Sequence, residues 1–216
     1  MFNSKTRTKE GSVKVNKAAV LWDYTKSILI ALVLALFIRA FVIQAYKIPS
    51  GSMLDTLQIG DHILVEKFMY GTHIPFTDIV IFPIKSPKKG DIIVFSYPEN
   101  HHLDFIKRVI GLPGDTVQGI NKNVYVNDKK LKESYIKHID GLILPSYASP
   151  RDNFGPIKIP KNHYFVMGDN RDNSKDGRFW GFVKREEIKG KALLVYFSWN
   201  GQHNKVRFKR LGKLIH

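Results

Sequence analysis

The sequence predicts a mainly β protein: an antiparallel β-sheet domain of the sandwich or barrel type with a small β insertion, preceded by one N-terminal transmembrane helix. Three observations predict it. An apolar run covers residues 27–46, short β-branched runs punctuated by Gly, Pro, Asn and Asp follow it, and a polar, loop-rich stretch at 116–162 interrupts those runs. The 216 residues, 44% of them hydrophobic, provide one medium domain with a sizeable core and argue against bulk disorder.

Residues 1–23 read as a basic cytoplasmic tail holding Lys5, Arg7, Lys9, Lys14 and Lys17. Residues 24–46 read as the transmembrane helix. The run "SILIALVLALFIRAFVIQAY" carries a single charge, Arg39, late enough to snorkel. Tyr24 to Tyr46 would span roughly 33 Å as a helix, about one bilayer core, with aromatic residues at both interfaces. Ala45-Tyr46-Lys47 is a poor A-x-A junction, which argues against a cleaved leader, and the absence of a polar stripe argues against a buried core helix. The basic flank predicts a cytoplasmic N-terminus with the rest of the chain outside.

Residues 47–115 and 163–216 read as the β core. The strand-like runs are "DHILVEKF", "DIIVFSYP", "DFIKRVIG", "NHYFVMGDN" and "KALLVYFSWNG". Residues 116–162 read as a small insertion domain containing "NVYVNDKKL", with a turn at Asn127-Asp128. Prolines confine "HIPFTDIVIFPI", residues 73–84, to a sheet edge or loop that either packs or dips into lipid.

The net charge of +15 implies a polyanionic partner. No basic-aromatic interleaving and no basic helix with heptads is present, so an anionic phospholipid surface is favoured over nucleic acid. The absence of cysteine excludes disulfides, thiolate metal sites and thiol nucleophiles. Neither a metal nor an organic cofactor is expected. The adjacent His101 and His102 lack a third ligand. Asp172-x-Ser174-x-Asp176 resembles the start of a calcium loop, but Val183 stands where its final glutamate should be.

"IPSGSMLDTLQIGD", residues 48–61, places Ser50 and Ser52 a few residues beyond the apolar run. Ser52 could cap a helix beginning near Met53, or act as a nucleophile if a base takes its proton. None of the eight histidines lies in a triad-like motif, and no G-x-S-x-G elbow occurs. Lys107 is the other candidate base. In "DFIKRVIG", alternation puts Phe105, Lys107 and Val109 on one face and Arg108 on the other. A lysine on an apolar face can lose its proton and act as a base, or snorkel to the surface. The third element, "GDNRDNSKDGRFWGFV" at 168–183, reads as a polar network in which Asp176 and Arg178 pair and Ser174 holds another side chain.

Taken together, "PSGSM" at 49–53, "KRVIGLPGD" at 107–115 and "GDNRDNSKDGR" at 168–178, in that order after an apolar anchor, resemble the bacterial type I signal peptidase (leader peptidase) family. The similarity extends over roughly residues 42–115 and 163–200, and to the tail "RFKRLGKLI". The resemblance implies a membrane-bound serine endopeptidase that removes signal peptides from exported preproteins, cutting after Ala-x-Ala-like junctions. It implies Ser52 as nucleophile and Lys107 as general base. Ser50 would add a hydroxyl to the oxyanion hole, Ser174 would orient the Lys107 amine, and Asp176 and Arg178 would form a supporting ion pair. Met53, Phe95, Phe105 and Val166 would desolvate the lysine or shape the substrate pocket. The chain departs from the family pattern at Asp55, where proline is common, and at Gly177, where serine is frequent. A conjugation-pilus processing peptidase and a non-enzymatic membrane-tethered binding module are the alternatives.

Overall fold

The computed structural model describes residues 17–70, 72–73, 80–81 and 85–216. The basic run from Lys5 to Lys14 and most of the proline-interrupted segment 73–84 lie outside the described residues.

Helix α1 covers Lys17–Phe41, and its stretch Val20–Arg39 is long and apolar enough to cross a membrane. Leu29, Val33 and Leu36 are each more than half exposed. The expected helix ran to residue 46, whereas β1 occupies Ile43–Lys47. Hydrophobicity alone does not distinguish these outcomes. Strand pairing does: Ile43 through Lys47 form a continuous antiparallel ladder with Glu66 through His62 of β2 (Asp61–Glu66). The short pair β3 (Thr72–His73) and β4 (Val80–Ile81) follows.

The main sheet then adds β5 (Ile92–Tyr97) and β6 (Asn100–Gly111), which form a hairpin. The insertion supplies β7 (Thr116–Ile120), β8 (Asn123–Val126), β9 (Lys129–Lys130) and β10 (Phe154–Lys158), a separate four-stranded sheet ordered β10-β7-β8-β9. Asn127 and Asp128 both adopt positive φ between β8 and β9, as a two-residue hairpin turn of this type requires. The chain returns to the main sheet through β11 (His163–Met167), the single-turn α2 (Gly177–Trp180), β12 (Val183–Lys184) and the 13-residue β13 (Ile188–Asn200). The short β14 (Lys205–Val206) and β15 (Lys213–Leu214) both pair with β13. The main path runs β1-β2-β13-β5-β6-β11-β12, with every pair antiparallel.

Alternation fills three apolar clusters. One gathers Ile48, Met53, Leu57, Ile63, Val65, Val195 and Ile215. A second gathers Ile93, Phe95, Val109, Val166 and Ile188. The third joins the end of β6 to the insertion sheet through Ile110, Val117, Phe154, Ile159 and Phe165. Gly111 stands at that join, where a Cβ would lie 2.4 Å from Ile159 and 2.7 Å from Val117.

A buried ion pair ties the C-terminal segment to the start of β2. Asp61 is fully buried and receives Arg210 Nε at 2.9 Å, Arg210 Nη2 at 2.5 Å, Ser198 Oγ at 2.6 Å and the Gln58 N–H at 2.8 Å. Burial alone would raise its pKa, but these donors, led by Arg210, hold it below the usual carboxylate value. Removing one partner strands a buried charge, which typically costs about 3–5 kcal/mol. Asp61→Ala is therefore expected to lower the unfolding free energy by that amount in urea titrations. A change below about 1 kcal/mol would show that the tail is held by other contacts.

Candidate active site

Lys107 lies in the second half of β6, in register with Ile93 of β5. It is only 4% exposed. Its amine donates to Ser52 Oγ at 2.7 Å and to the Ile106 carbonyl at 3.0 Å. The Phe105 ring centroid lies 5.4 Å from the nitrogen, and Phe105 meets Phe95 edge-on at 6.5 Å. Phe95, Phe105 and Val166 share one cluster, so three of the four expected pocket residues converge. Met53 is fully buried but belongs to the neighbouring cluster with Ile48 and Leu57, where it anchors the serine turn.

The electrostatics follow from this packing. Burial removes the water that would solvate an ammonium and draws the Lys107 pKa down to about 8; the fields of Asp176 and Asp169 oppose that shift, and Arg178 adds to it. Neither carboxylate bonds the amine, because each is engaged by an arginine. Asp176 receives Arg178 Nε and Nη2, both at 2.8 Å, and caps α2 through the Arg178 N–H. Although burial pushes the Asp176 carboxyl up, Arg178 and the Gly168 N–H hold it below the usual range. Asp169 receives Arg108 Nε at 2.8 Å and Nη2 at 2.7 Å. The strand alternation that buries Lys107 with Phe105 thus sends Arg108 to an opposite, polar partner.

Ser52 is buried on a turn between Ile48 and Leu57, whose side chains are sunk in the core on either side. Leu54 N–H bonds the Gly51 carbonyl at 3.2 Å and Leu57 N–H the Met53 carbonyl at 2.8 Å. Asn170 pins the turn from outside: its N–H donates to the Ser52 carbonyl and its Nδ2 to the Gly51 carbonyl, both at 3.0 Å. Among the described residues the Ser52 N–H has no acceptor, so it is available to a developing oxyanion. Gly168 permits the close approach, since a Cβ there would sit 2.3 Å from Ser174 Oγ and 2.5 Å from the Ser52 carbonyl oxygen.

Two expected contacts differ. Ser174 is buried near the Asp176 carboxylate, but its hydroxyl lies outside hydrogen-bonding geometry and makes no bond to Lys107. The amine already uses Ser52 and its own strand's carbonyl. Ser50 is exposed beside the buried Ser52. The motifs alone assign no site role to Arg108, Asp169 and Asn170. Their signal was present, in an arginine forced opposite a buried lysine and in the acidic "GDNR" run. The Asp172 carboxylate is taken by Lys122 at 2.9 Å and His138 at 2.9 Å. Asp55 pairs with Lys137 at 3.0 Å.

The family described as signal peptidase, peptidase S26, matches residues 21–199. A signal peptidase I of Pseudomonas aeruginosa is 38% identical, the alignment covering 94% of this chain and 82% of that protein. A signal peptidase I of Leptolyngbya laminosa is 42% identical over 83% of this chain and 81% of its own length. A probable signal peptidase I-2 of Synechocystis is 41% identical over 80% and 71%.

The buried amine can be observed directly. One lysine in a side-chain NMR titration is expected to change charge near 8, whereas solvated lysines change near ~10.4. Lys107→Met should remove that resonance alone. An unfolded lysine keeps its proton to its ordinary 10.5, so this group makes folding stability rise with pH between about 8 and 10.5. A spectrum with every lysine titrating near ~10.4 would contradict the dry environment.

Proposed function

This chain belongs to the signal peptidase family, peptidase S26, and on that premise we propose that it is a membrane-bound endopeptidase that removes N-terminal signal peptides from exported preproteins through a Ser–Lys dyad. As a member of the family it is a serine peptidase and hydrolase. The observation that carries the mechanistic reading is the 2.7 Å contact between Lys107 Nζ and Ser52 Oγ in a site closed to water on the lysine side. This favours a peptidase over the non-enzymatic binding module.

In the proposed reaction, neutral Lys107 accepts the Ser52 proton as Oγ attacks the scissile carbonyl. The oxyanion forms within reach of the free Ser52 N–H, an interaction worth about 3 kcal/mol in comparable sites, and the exposed Ser50 hydroxyl completes the hole by rotating inward. The C–N bond breaks, the lysine proton passes to the leaving amine, and the signal-peptide acyl group remains as an ester on Ser52. Neutral Lys107 then takes a proton from water, whose oxygen attacks the ester, and passes that proton to Ser52 Oγ as the acyl–oxygen bond breaks and the acid leaves. The Asp176–Arg178 pair supports the lysine: the arginine keeps the carboxylate from pairing with the amine and recharging it. An extended substrate adding to a sheet edge would present small side chains at the first and third positions before the cut, which suits Ala-x-Ala-like junctions.

Helix α1 supplies the anchor in this reading, with the basic N-terminus cytoplasmic and residues 47–216 on the outer face. Residues 116–162 would be an insertion domain on the core formed by 47–115 and 163–216. Within the core, Trp199, Phe208, Leu211 and Leu214 are exposed among Lys205, Arg207, Lys209 and Lys213, a composition suited to an anionic phospholipid surface.

Detergent-solubilised protein should cut a preprotein once, after its A-x-A junction. Ser52→Ala and Lys107→Ala should each reduce kcat at least about a thousandfold. Cleavage surviving in either variant sinks the dyad. For the wild type, the rate should fall about tenfold per pH unit below a midpoint near 8, because protonation removes the base. A flat profile from pH 6 to 9 would mean that Lys107 is not the group that titrates.

A further inference from the structure

We infer that residues 133–137 form a strap that positions the Ser52 turn, with Glu133 and Tyr135 as positioning residues, an inference that rests on the role proposed for Ser52. These residues belong to the polar stretch after β9 and touch neither Ser52 nor Lys107. They grip the two arginines, Arg108 and Arg171, each 2% exposed, that flank the segment pinning the serine. Arg108 spends its edge on Asp169 and the Gly90 carbonyl, which leaves its planar face to be covered. Tyr135 covers it, with the guanidinium carbon 3.8 Å from the ring centroid. The Tyr135 hydroxyl donates to Glu133 Oε1 at 2.9 Å. Glu133 in turn receives Arg171 through both of its oxygens, with Nη1 2.9 Å from Oε2. One short segment therefore holds both guanidinium groups through linked contacts.

The backbone continues the grip. Lys137 N–H donates to the Asp169 carbonyl at 2.8 Å, and Arg171 N–H donates to the Lys137 carbonyl at 2.9 Å, a parallel bridge that fixes Asn170 between them. Asn170 is the residue that bonds both the Gly51 and the Ser52 carbonyls. Asp169 adds a second attachment, since Thr56 Oγ1 donates to its Oδ2 at 2.5 Å. Displacing the strap moves Asp169 and Asn170, and the serine turn hangs on both. The lysine is held by β6, and its low pKa comes first from burial beside its aromatic neighbours, with the Asp169 field a smaller, opposing influence, so the strap acts mainly on the placement of the nucleophile.

That separation gives the test. Steady-state cleavage of the preprotein is measured for the full-length protein and for Tyr135→Leu, Tyr135→Phe and Ser52→Ala, with thermal melts establishing that each is folded. Tyr135→Leu is expected to lower kcat about tenfold or more, because small misplacements of a reacting group cost rates of that order. KM should stay within about twofold, and the pH midpoint should remain near 8. Tyr135→Phe, which keeps the ring over Arg108, should retain kcat within about threefold. If Tyr135→Leu does not fold, Tyr135→Met, closer in volume and without a π face, carries the same expectation. Full kcat in the Leu or Met variant overturns the strap, as does a loss confined to KM or a displaced pH midpoint. Should Ser52→Ala cut as well as wild type, the underlying reading fails; an inactive Ser52→Ala beside a fully active Tyr135→Leu sinks the strap alone.

Discussion

The site depends on a lysine being buried without acquiring a carboxylate. Two aspartates, Asp176 and Asp169, lie near enough to Lys107 for their fields to act on it. Either could restore its charge by direct pairing. Arg178 and Arg108 prevent this by binding them bidentately, so the amine is left with two neutral partners, the Ser52 hydroxyl and a backbone carbonyl. Arginine suits the task because it stays charged when buried and its fork matches a carboxylate. The network of 168–178 thus acts less by touching the lysine than by keeping anions away from it.

The same network serves a second purpose. Gly168, Asp169 and Asn170 form the wall against which the serine turn rests, and the absence of a side chain at Gly168 lets the two backbones meet. A few consecutive residues therefore act on the amine through the Asp169 field on one side and hold the hydroxyl's turn on the other. In the proposed mechanism these quantities have different sources: basicity comes from the apolar packing of Phe95, Phe105 and Val166, and placement from hydrogen bonds to backbone.

Much of this was legible in the sequence where a local period was at work. Alternation in "DFIKRVIG" assigned Lys107 and Arg108 to opposite faces, and Asn127-Asp128 announced its hairpin. Apolar content did not show where α1 ends, because Ile43, Ala45 and Tyr46 of β1 continue the run without a Gly or Pro to break it. Contacts between segments distant in sequence were hidden as well. Nothing local in 116–162 shows that Glu133 and Tyr135 reach Arg171 and Arg108, since such pairing follows from how the sheets meet. Ser174 illustrates the reverse case: its residue type and motif suggested a bond to the amine, but side-chain geometry places the hydroxyl elsewhere.

The first core cluster contains both Ile48 and Ile215, and Asp61 at the head of β2 is neutralised by Arg210. Strand β13 reaches the sheet only after most of the chain has been made, and its partners include β2, β5 and β15. Such long-range closure is slow, and it cannot begin until the distant partner exists. A polypeptide still emerging from the ribosome therefore carries Ser52 and Lys107 without the scaffold that joins them. Until β13 is made, β2 and β5 have no shared neighbour, and the turn carrying Ser52 and the strand carrying Lys107 are not yet parts of one sheet.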